Sequence, residues 1–387
     1  MKNCFKSDTI HPLMDIIGFA KKDALLVISA VLALVSLFLV PFETVLSYNY
    51  MSILETICTL LFFLLIVAGL KECNALNVIA QKAVTNIETT TKLCLVLVLL
   101  PFFCAMFFSN DVALMTFVPL AIAILSMAGM KGTTTITVVV LQTVAANVGS
   151  FLTPFGNPHN LYIYNLNSQY GFTLWDYEMQ LIPIVAVGTA VLLALVMLVK
   201  RKPLKVQFDK EEKIENRRSI PVLLALFVLA ILTVLDVIPF YITLVVIVAV
   251  FLVMMPRVFW NVSYNILFIF FFLFLFANGL TSMEAVHSVI DELMAWDPML
   301  STVIFSQFTS NVPATILLQP FTDSWWAVLV GADIGGFGTP IASMASVISL
   351  NLYLKEKDAS AKAYLKVFLL INAIMLAALI PTYMLLH

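Results

Sequence analysis

Three carboxylates stand inside apolar stretches of the chain: Glu55, Asp111 and Asp333. A carboxylate within a bilayer is costly to keep and usually serves function. Asp111 follows Ser109-Asn110, and Asp333 lies in Ala332-Asp333-Ile334-Gly335-Gly336-Phe337-Gly338-Thr339-Pro340. These contexts are rich in hydroxyls and exposed carbonyls, the oxygen-rich setting that suits a hard cation or a proton. No Lys or Arg accompanies them, so an anion at the same place would have to be held by helix N-termini. The chemistry implied is joint binding of a small anion and a cation. Glu55 lies near the start of its segment and reads as able to snorkel to the interface; Asp236 sits at a tight turn and reads as structural. His159, in Gly156-Asn157-Pro158-His159-Asn160, is of a type that titrates near neutral pH, but the plainer reading, a packing or hydrogen-bonding histidine, is preferred.

The elements that position these residues follow from composition. Of 387 residues, 61% are apolar and 11% charged, whereas a soluble domain carries about a quarter charged. The apolar runs are continuous rather than alternating, which excludes a β-barrel and leaves an all-α polytopic membrane protein. Fibrous, disordered, secreted and nucleic-acid-binding classes are excluded with it. The pattern predicts about nine spanning helices, over 24–41, 51–70, 133–165, 179–199, 220–236, 240–256, 261–280, 327–354 and 364–386, with 133–165 and 327–354 broken in the middle. Two further stretches, 92–128 and 298–322, read as re-entrant hairpins around a polar tip. The first arm of the second hairpin spans about half a bilayer at 1.5 Å per residue; the first hairpin has longer arms and is assigned by the match of its tip. With the N-terminus cytoplasmic and the C-terminus outside, all 21 Lys and Arg fall on the cytoplasmic side. The first apolar run reads as a retained span rather than a signal peptide. Segment 200–219 reads as a solvated cytoplasmic linker, and 71–92 as either an interfacial amphipathic arm or a plain loop. The five cysteines show no metal-ligand spacing, and neither a disulfide nor a metal site is expected.

The chain contains an internal repeat. Ala146-Asn147-Val148-Gly149-Ser150-Phe151-Leu152-Thr153-Pro154 aligns without gaps to 332–340. Ser109-Asn110-Asp111-Val112-Ala113 aligns to Ser310-Asn311-Val312-Pro313-Ala314, and Gly69-Leu70 to Gly279-Leu280. The matching segments 24–41 and 240–256 lie five crossings apart, so the second half is expected to be inverted in the membrane, as in secondary transporters with a midplane site. Asn157-Pro158 and Thr339-Pro340 read as helix restarts after the breaks, and Asn110 and Asn311 as N-caps of the second hairpin arms. Four helix N-termini should then converge on one anion site. A membrane aspartyl protease is the remote alternative. It requires two carboxylates sharing a proton, yet Asp111 and Asp333 are not equivalent in the repeat, and the Gly-x-Gly-Asp motif of such proteases is absent.

The three matched blocks, with Phe155-Gly156-Asn157-Pro158 after the first break, resemble the ion transporter superfamily: divalent anion/sodium symporters, arsenite efflux permeases and one group of Na+/H+ antiporters. The resemblance covers residue 24 to the C-terminus, and the pattern is most similar to a bacterial permease branch between the symporters and the arsenite permeases. It implies a homodimer in the bacterial inner membrane. Each chain would have a scaffold part (24–91 and 220–297) and a transport part (92–199 and 298–387), with 1–23 a cytoplasmic N-terminus and 200–219 the linker. The transport part would carry cargo across as an elevator. It also implies that Ser109, Asn110, Asn157, Ser310, Asn311 and Thr339 bind substrate, and that Asp111, Asn147, Gly149, Thr153, Asp333 and Gly335 bind a cation or couple a proton. The symporters' Ser-Asn-Thr tips become Ser109-Asn110-Asp111 and Ser310-Asn311-Val312. The function expected is secondary active transport of a dicarboxylate or inorganic oxyanion coupled to Na+ or H+, with no other cofactor and no catalysis. The alternative is efflux of an arsenite-like oxyanion, or Na+/H+ antiport.

Overall fold

The structure, a computed structural model, describes residues 24–85, 87–168, 170–199, 202–203 and 211–386. The N-terminal segment 1–23 and much of the linker lie outside the described residues. The chain is an integral membrane protein built of helices, with no β-strand among the described residues.

Helices α1 (Ala24–Leu39), α2 (Phe42–Leu46), α3 (Tyr50–Glu72) and α4 (Ala75–Val84) precede the first hairpin, α5 (Thr90–Phe107) and α6 (Asn110–Met127). Helix α7 (Thr133–Ser150) and helix α8 (Pro158–Ser168) flank the 3-10 turn Pro154–Gly156, and α9 (Leu174–Met197) ends the first half. The second half runs through α10 (Ser219–Val234), α11 (Phe240–Met254), α12 (Pro256–Asn261), α13 (Asn265–Thr281) and α14 (Glu284–Trp296). Then come the second hairpin, α15 (Pro298–Thr309) and α16 (Asn311–Leu318), and α17 (Trp325–Gly335), the 3-10 turn Pro340–Ala342, α18 (Met344–Tyr353) and α19 (Ala361–Leu386). Helices α3, α5, α6, α9 and α19 are long and apolar enough to cross a membrane; α1, α10, α11 and α13 are apolar but shorter. The two arms of the first hairpin are 18 residues each, against 12 and 8 in the second.

Packing follows the apolar faces. Helix α3 lies against α10, α11 and α13, and α1 lies along α13. In each half a hairpin arm lies along the first part of the broken segment: α5 on α7, and α15 on α17. Glycine permits both approaches. A Cβ on Gly149 would stand 2.1 Å from the Phe102 carbonyl oxygen, and one on Gly335 would stand 2.7 Å from Ser306 Oγ and 3.2 Å from Val303 Cα. Gly149 and Gly335 are matched positions of the repeat, and so are Phe102 and Val303 counted back from the Ser-Asn tips.

Three segments gain detail. Residues 281–298, between the expected span 261–280 and the second hairpin, contain α14: its sequence is too polar to register as a span, yet Met294 is buried and Ile290 packs on the core. Segment 71–92 contains the amphipathic helix α4, with Leu76, Val78 and Val84 buried and Lys82 exposed. The described part of the linker is exposed at 202–203 and 211–218 and also hydrogen-bonds to the α3–α4 corner. Asn74 Nδ2 donates to Glu212 Oε2 (2.7 Å), Glu212 N to Gln81 Oε1 (2.6 Å) and Glu215 N to the Cys73 carbonyl (3.0 Å). Unpaired polar groups at the α3–α4 corner give those residues something to bind.

Candidate functional site

The first hairpin reverses over Phe108 and Ser109, and the second over Ser310 alone. The N-caps are Ser109 and Ser310, one residue earlier than expected, and the second arms begin at Asn110 and Asn311 themselves. Neither serine side chain caps its helix, but Asn311 Oδ1 accepts from Val312 N at 3.0 Å. Ser310 makes its reversal at φ 76°, a left-handed conformation uncommon outside glycine.

The breaks match residue for residue. Thr153-Pro154 and Thr339-Pro340 each open a 3-10 turn, and each threonine hydroxyl donates to the carbonyl of a hairpin arm: Thr153 to Met106, and Thr339 to Gln307 (3.0 Å). After the turns, Asn157 and Ser343 are extended, and α8 and α18 restart at Pro158 and Met344. Thr339-Pro340 is therefore not the second restart. Proline suits the opening of either kind of turn because it donates no N–H, whereas Ser343-Met344 carries no such mark. Extending the repeat alignment, which pairs Ser343 with Asn157, is the signal that locates it. Gln307 was also missed. Its Nε2 donates to the carbonyls of Val303, Gly335 and Phe337, each at 3.0 Å, and its Oε1 accepts from Thr339 N at 2.9 Å. It thereby supplies the hydrogen bonds that the opened backbone lacks.

The four helix starts meet. Asn110 and Asp111, Asn157 and Pro158, Ser310 and Asn311, and Ser343 and Met344 line one cavity. Each start carries about half a positive charge and N–H groups that no preceding turn satisfies, although at α16 Val312 N is taken by Asn311 Oδ1 and Pro313 has no N–H. The facing wall is apolar: Leu25 of α1 and Ile266, Ile269, Phe270 and Leu273 of α13. Asp111 is the one charged residue among the lining residues, and its Oδ1 is buried without a hydrogen-bond partner.

Of the expected substrate ligands, Asn110, Asn157, Ser310 and Asn311 line this cavity, and Ser109 lines a neighbouring apolar one. Thr339 does not line it. Of the expected cation ligands, only Asp111 lines it. Asn147 lies behind, accepting from Asn110 Nδ2 at 3.0 Å, and Gly149 and Gly335 serve helix approach.

Asp333 does not line the cavity. Its Oδ1 lies 3.0 Å from His159 Nε2, and its Oδ2 3.5 Å from Asn160 Nδ2. His159 and Asp333 have no exposed side-chain surface. The preferred reading of His159 as a hydrogen-bonding residue thus acquires a partner from the other half of the chain. The aspartates form no carboxylate pair, as an aspartyl protease would require.

Known sequences resemble this chain over most of its length. The family profile described as "Citrate transporter" matches residues 16–324. An uncharacterized transporter of Methanocaldococcus jannaschii is 28% identical over 298 residues, covering 77% of this chain and 80% of the relative. The inner membrane protein YbiR of Escherichia coli is 27% identical over 305 residues, covering 77% of this chain and 79% of its own length.

Proposed function

The chain belongs to the citrate transporter family, and on that premise we propose that it is a secondary transporter of citrate or a similar small carboxylate, coupled to Na+ or H+. One observation carries the reading: four helix N-termini share one cavity that no Lys or Arg lines. Helix dipoles and free N–H groups favour carboxylates without the desolvation cost of a buried cationic side chain. The amides of Asn110, Asn157 and Asn311 and the hydroxyls of Ser310 and Ser343 add directional donors.

The same reading makes the two halves an inverted repeat, with both hairpins re-entrant and the transport part moving as an elevator. Its support is that both hairpin tips and both restarts reach one cavity, whose opposite wall is apolar and offers no polar group to hold that part in place. The second hairpin's first arm, about 18 Å long at 12 residues, reaches midway through a bilayer. The homodimer, the inner-membrane location and the sidedness with the C-terminus outside belong to this reading, and the mass of the detergent-solubilised particle checks the dimer.

The test is the melting temperature of the purified protein with citrate, succinate, sulfate, phosphate and arsenite. Each is titrated in Na+ and in choline. A ligand of the folded state raises the apparent melting temperature with its concentration. Citrate should raise it, and Asn157→Ala should reduce the effect. A rise with arsenite or sulfate and none with citrate would refute the carboxylate reading and favour efflux of an oxyanion.

A further inference from the structure

Three cavities follow one another along helices α3 and α6. The apolar one beside the central cavity shares Pro158 and Ile266 with it and lies between Leu60, Phe63, Leu64 and Val67 of α3 and Val112 of α6. The next cleft continues both rows, with Lys71 on α3 and Met115, Thr116 and Pro119 on α6. Spacings of three and four residues keep each row on one helix face, so the two faces bound a single seam that runs toward the linker. Asn74 and Asn77, at the α3–α4 corner, and Glu212 of the linker complete the cleft at its end. Among the described residues, Lys71 is the one Lys or Arg that lines any of the three cavities.

A carboxylate is already seated in this cleft. Asn77 Nδ2 donates to Asn74 Oδ1 at 2.8 Å, which fixes the Asn74 amide with its donor toward the linker. There Asn74 Nδ2 donates to Glu212 Oε2 (2.7 Å) and to the Lys213 carbonyl (3.1 Å). Lys71, by contrast, forms no ion pair with a described residue. The cleft thus sets an oriented amide, occupied by a carboxylate of the chain itself, near an ammonium that no carboxylate neutralises.

Resting on the transporter reading above, we propose that the cleft is a second binding station for the transported anion, on the cytoplasmic side of the central cavity, and that Glu212 is the internal carboxylate that competes for it. A ligand of the citrate class carries more than one carboxylate. One takes the Asn74 amide in place of Glu212, and another meets Lys71. The middle cavity offers an anion only Ser109 among apolar side chains, so a cation beyond it supplies the attraction that draws the anion along the seam. Glu212, seated in the same cleft, weakens that attraction. The linker thereby sets how readily cargo enters and leaves at the cytoplasmic face.

The experiment measures citrate exchange by the full chain in right-side-out and inverted bacterial membrane vesicles, which present the outer and the cytoplasmic face to added citrate. Lys71→Gln should raise the half-saturating citrate concentration at the cytoplasmic face roughly threefold or more and leave the outer face unchanged. Glu212→Gln keeps an acceptor for Asn74 but loses the charge, and should lower that concentration at the cytoplasmic face. The proposal is overturned if either variant leaves the cytoplasmic face unchanged or shifts both faces alike. A lysine that only anchors the end of α3 would change the melting temperature without a one-sided shift. Should Lys71→Gln not fold, Glu212→Gln decides. If the wild type exchanges no citrate, the substrate reading fails by itself, and the cleft is judged without citrate. The described native cysteines are buried, so Thr116→Cys places a reactive thiol in the cleft. In detergent it should react faster with a sulfonate-bearing methanethiosulfonate than with the trimethylammonium counterpart, and adding Lys71→Gln should abolish the preference. No preference, or one that survives Lys71→Gln, would overturn the proposal.

Discussion

Phe151 and Phe337 occupy matched positions in the two halves of the sequence, and their rings meet edge to face, with centroids 6.0 Å apart and planes at 71°. Matched residues of a repeat touch only where the repeats adjoin, so the two breaks face each other at the centre of the protein. The Asn147 Nδ2 contact to the Gly336 carbonyl at 3.5 Å and the His159–Asp333 pair cross the same junction.

The closeness of the hairpin arms to the broken segments predicts unequal costs for two matched substitutions. Gly149→Ala drives a methyl group into the backbone carbonyl of Phe102, whereas Gly335→Ala meets Ser306 Oγ first and Val303 Cα at a longer distance. Overpacking costs typically about 1–3 kcal/mol. Gly149→Ala should lie at or beyond the top of that range and Gly335→Ala near its foot. Thermal melting in detergent checks the order, and equal losses would contradict it.

Gln307 touches no cavity residue by hydrogen bond, yet it joins Gly335, Phe337 and Thr339 around the second break. Gln307→Leu leaves these groups without their partner, at about 1–3 kcal/mol for each one that stays buried and unsatisfied. The variant should melt well below the wild type and lose citrate exchange. Gln307→Glu should fare no better, since it turns a carboxylate oxygen toward three carbonyls. Normal melting of Gln307→Glu would mean that those carbonyls find other donors.

Ser310 holds a left-handed backbone conformation at the tip of the second hairpin. Such strain costs about 1–3 kcal/mol and persists where function requires it. Ser310→Gly should therefore raise the melting temperature of the ligand-free protein while reducing the additional rise produced by citrate. A fall in ligand-free stability would show that the serine side chain contributes more than the strain it imposes.

Asp111 brings a carboxylate oxygen without a partner to the cavity wall. An unpaired buried polar group costs about 1–3 kcal/mol, more when charged. Asp111→Asn should leave the ligand-free protein as stable as the wild type or more so. Melting in choline at neutral pH measures this, and a marked drop in stability would reveal a partner for Asp111 in solution.

Much of the site is legible in the residues alone. Ser-Asn at both tips and the repeated Gly, Thr and Pro at the breaks are local signals, because proline and glycine constrain the backbone at their own positions. They locate both hairpin reversals to within one residue and the first restart at Asn157-Pro158. Ser343-Met344 is not legible in the same way, since its restart follows a turn that itself opens with proline. Helix α14 escapes because its apolar residues are interspersed with acids and histidine, a pattern that shows a helix face only when something packs on it.

The sequence by itself determined that the chain is helical and membrane-embedded, that it repeats, and where its helices break, since apolar run length and backbone breakers act through nearest neighbours. Only the tertiary structure decided which groups meet. It brought Asp333 to His159 and Gln307 to the second break, and it left Asp111 unpaired at the cavity wall. Hydrogen bonds are fixed by distance and direction in space, and no local pattern in the chain records which distant residue will supply the partner.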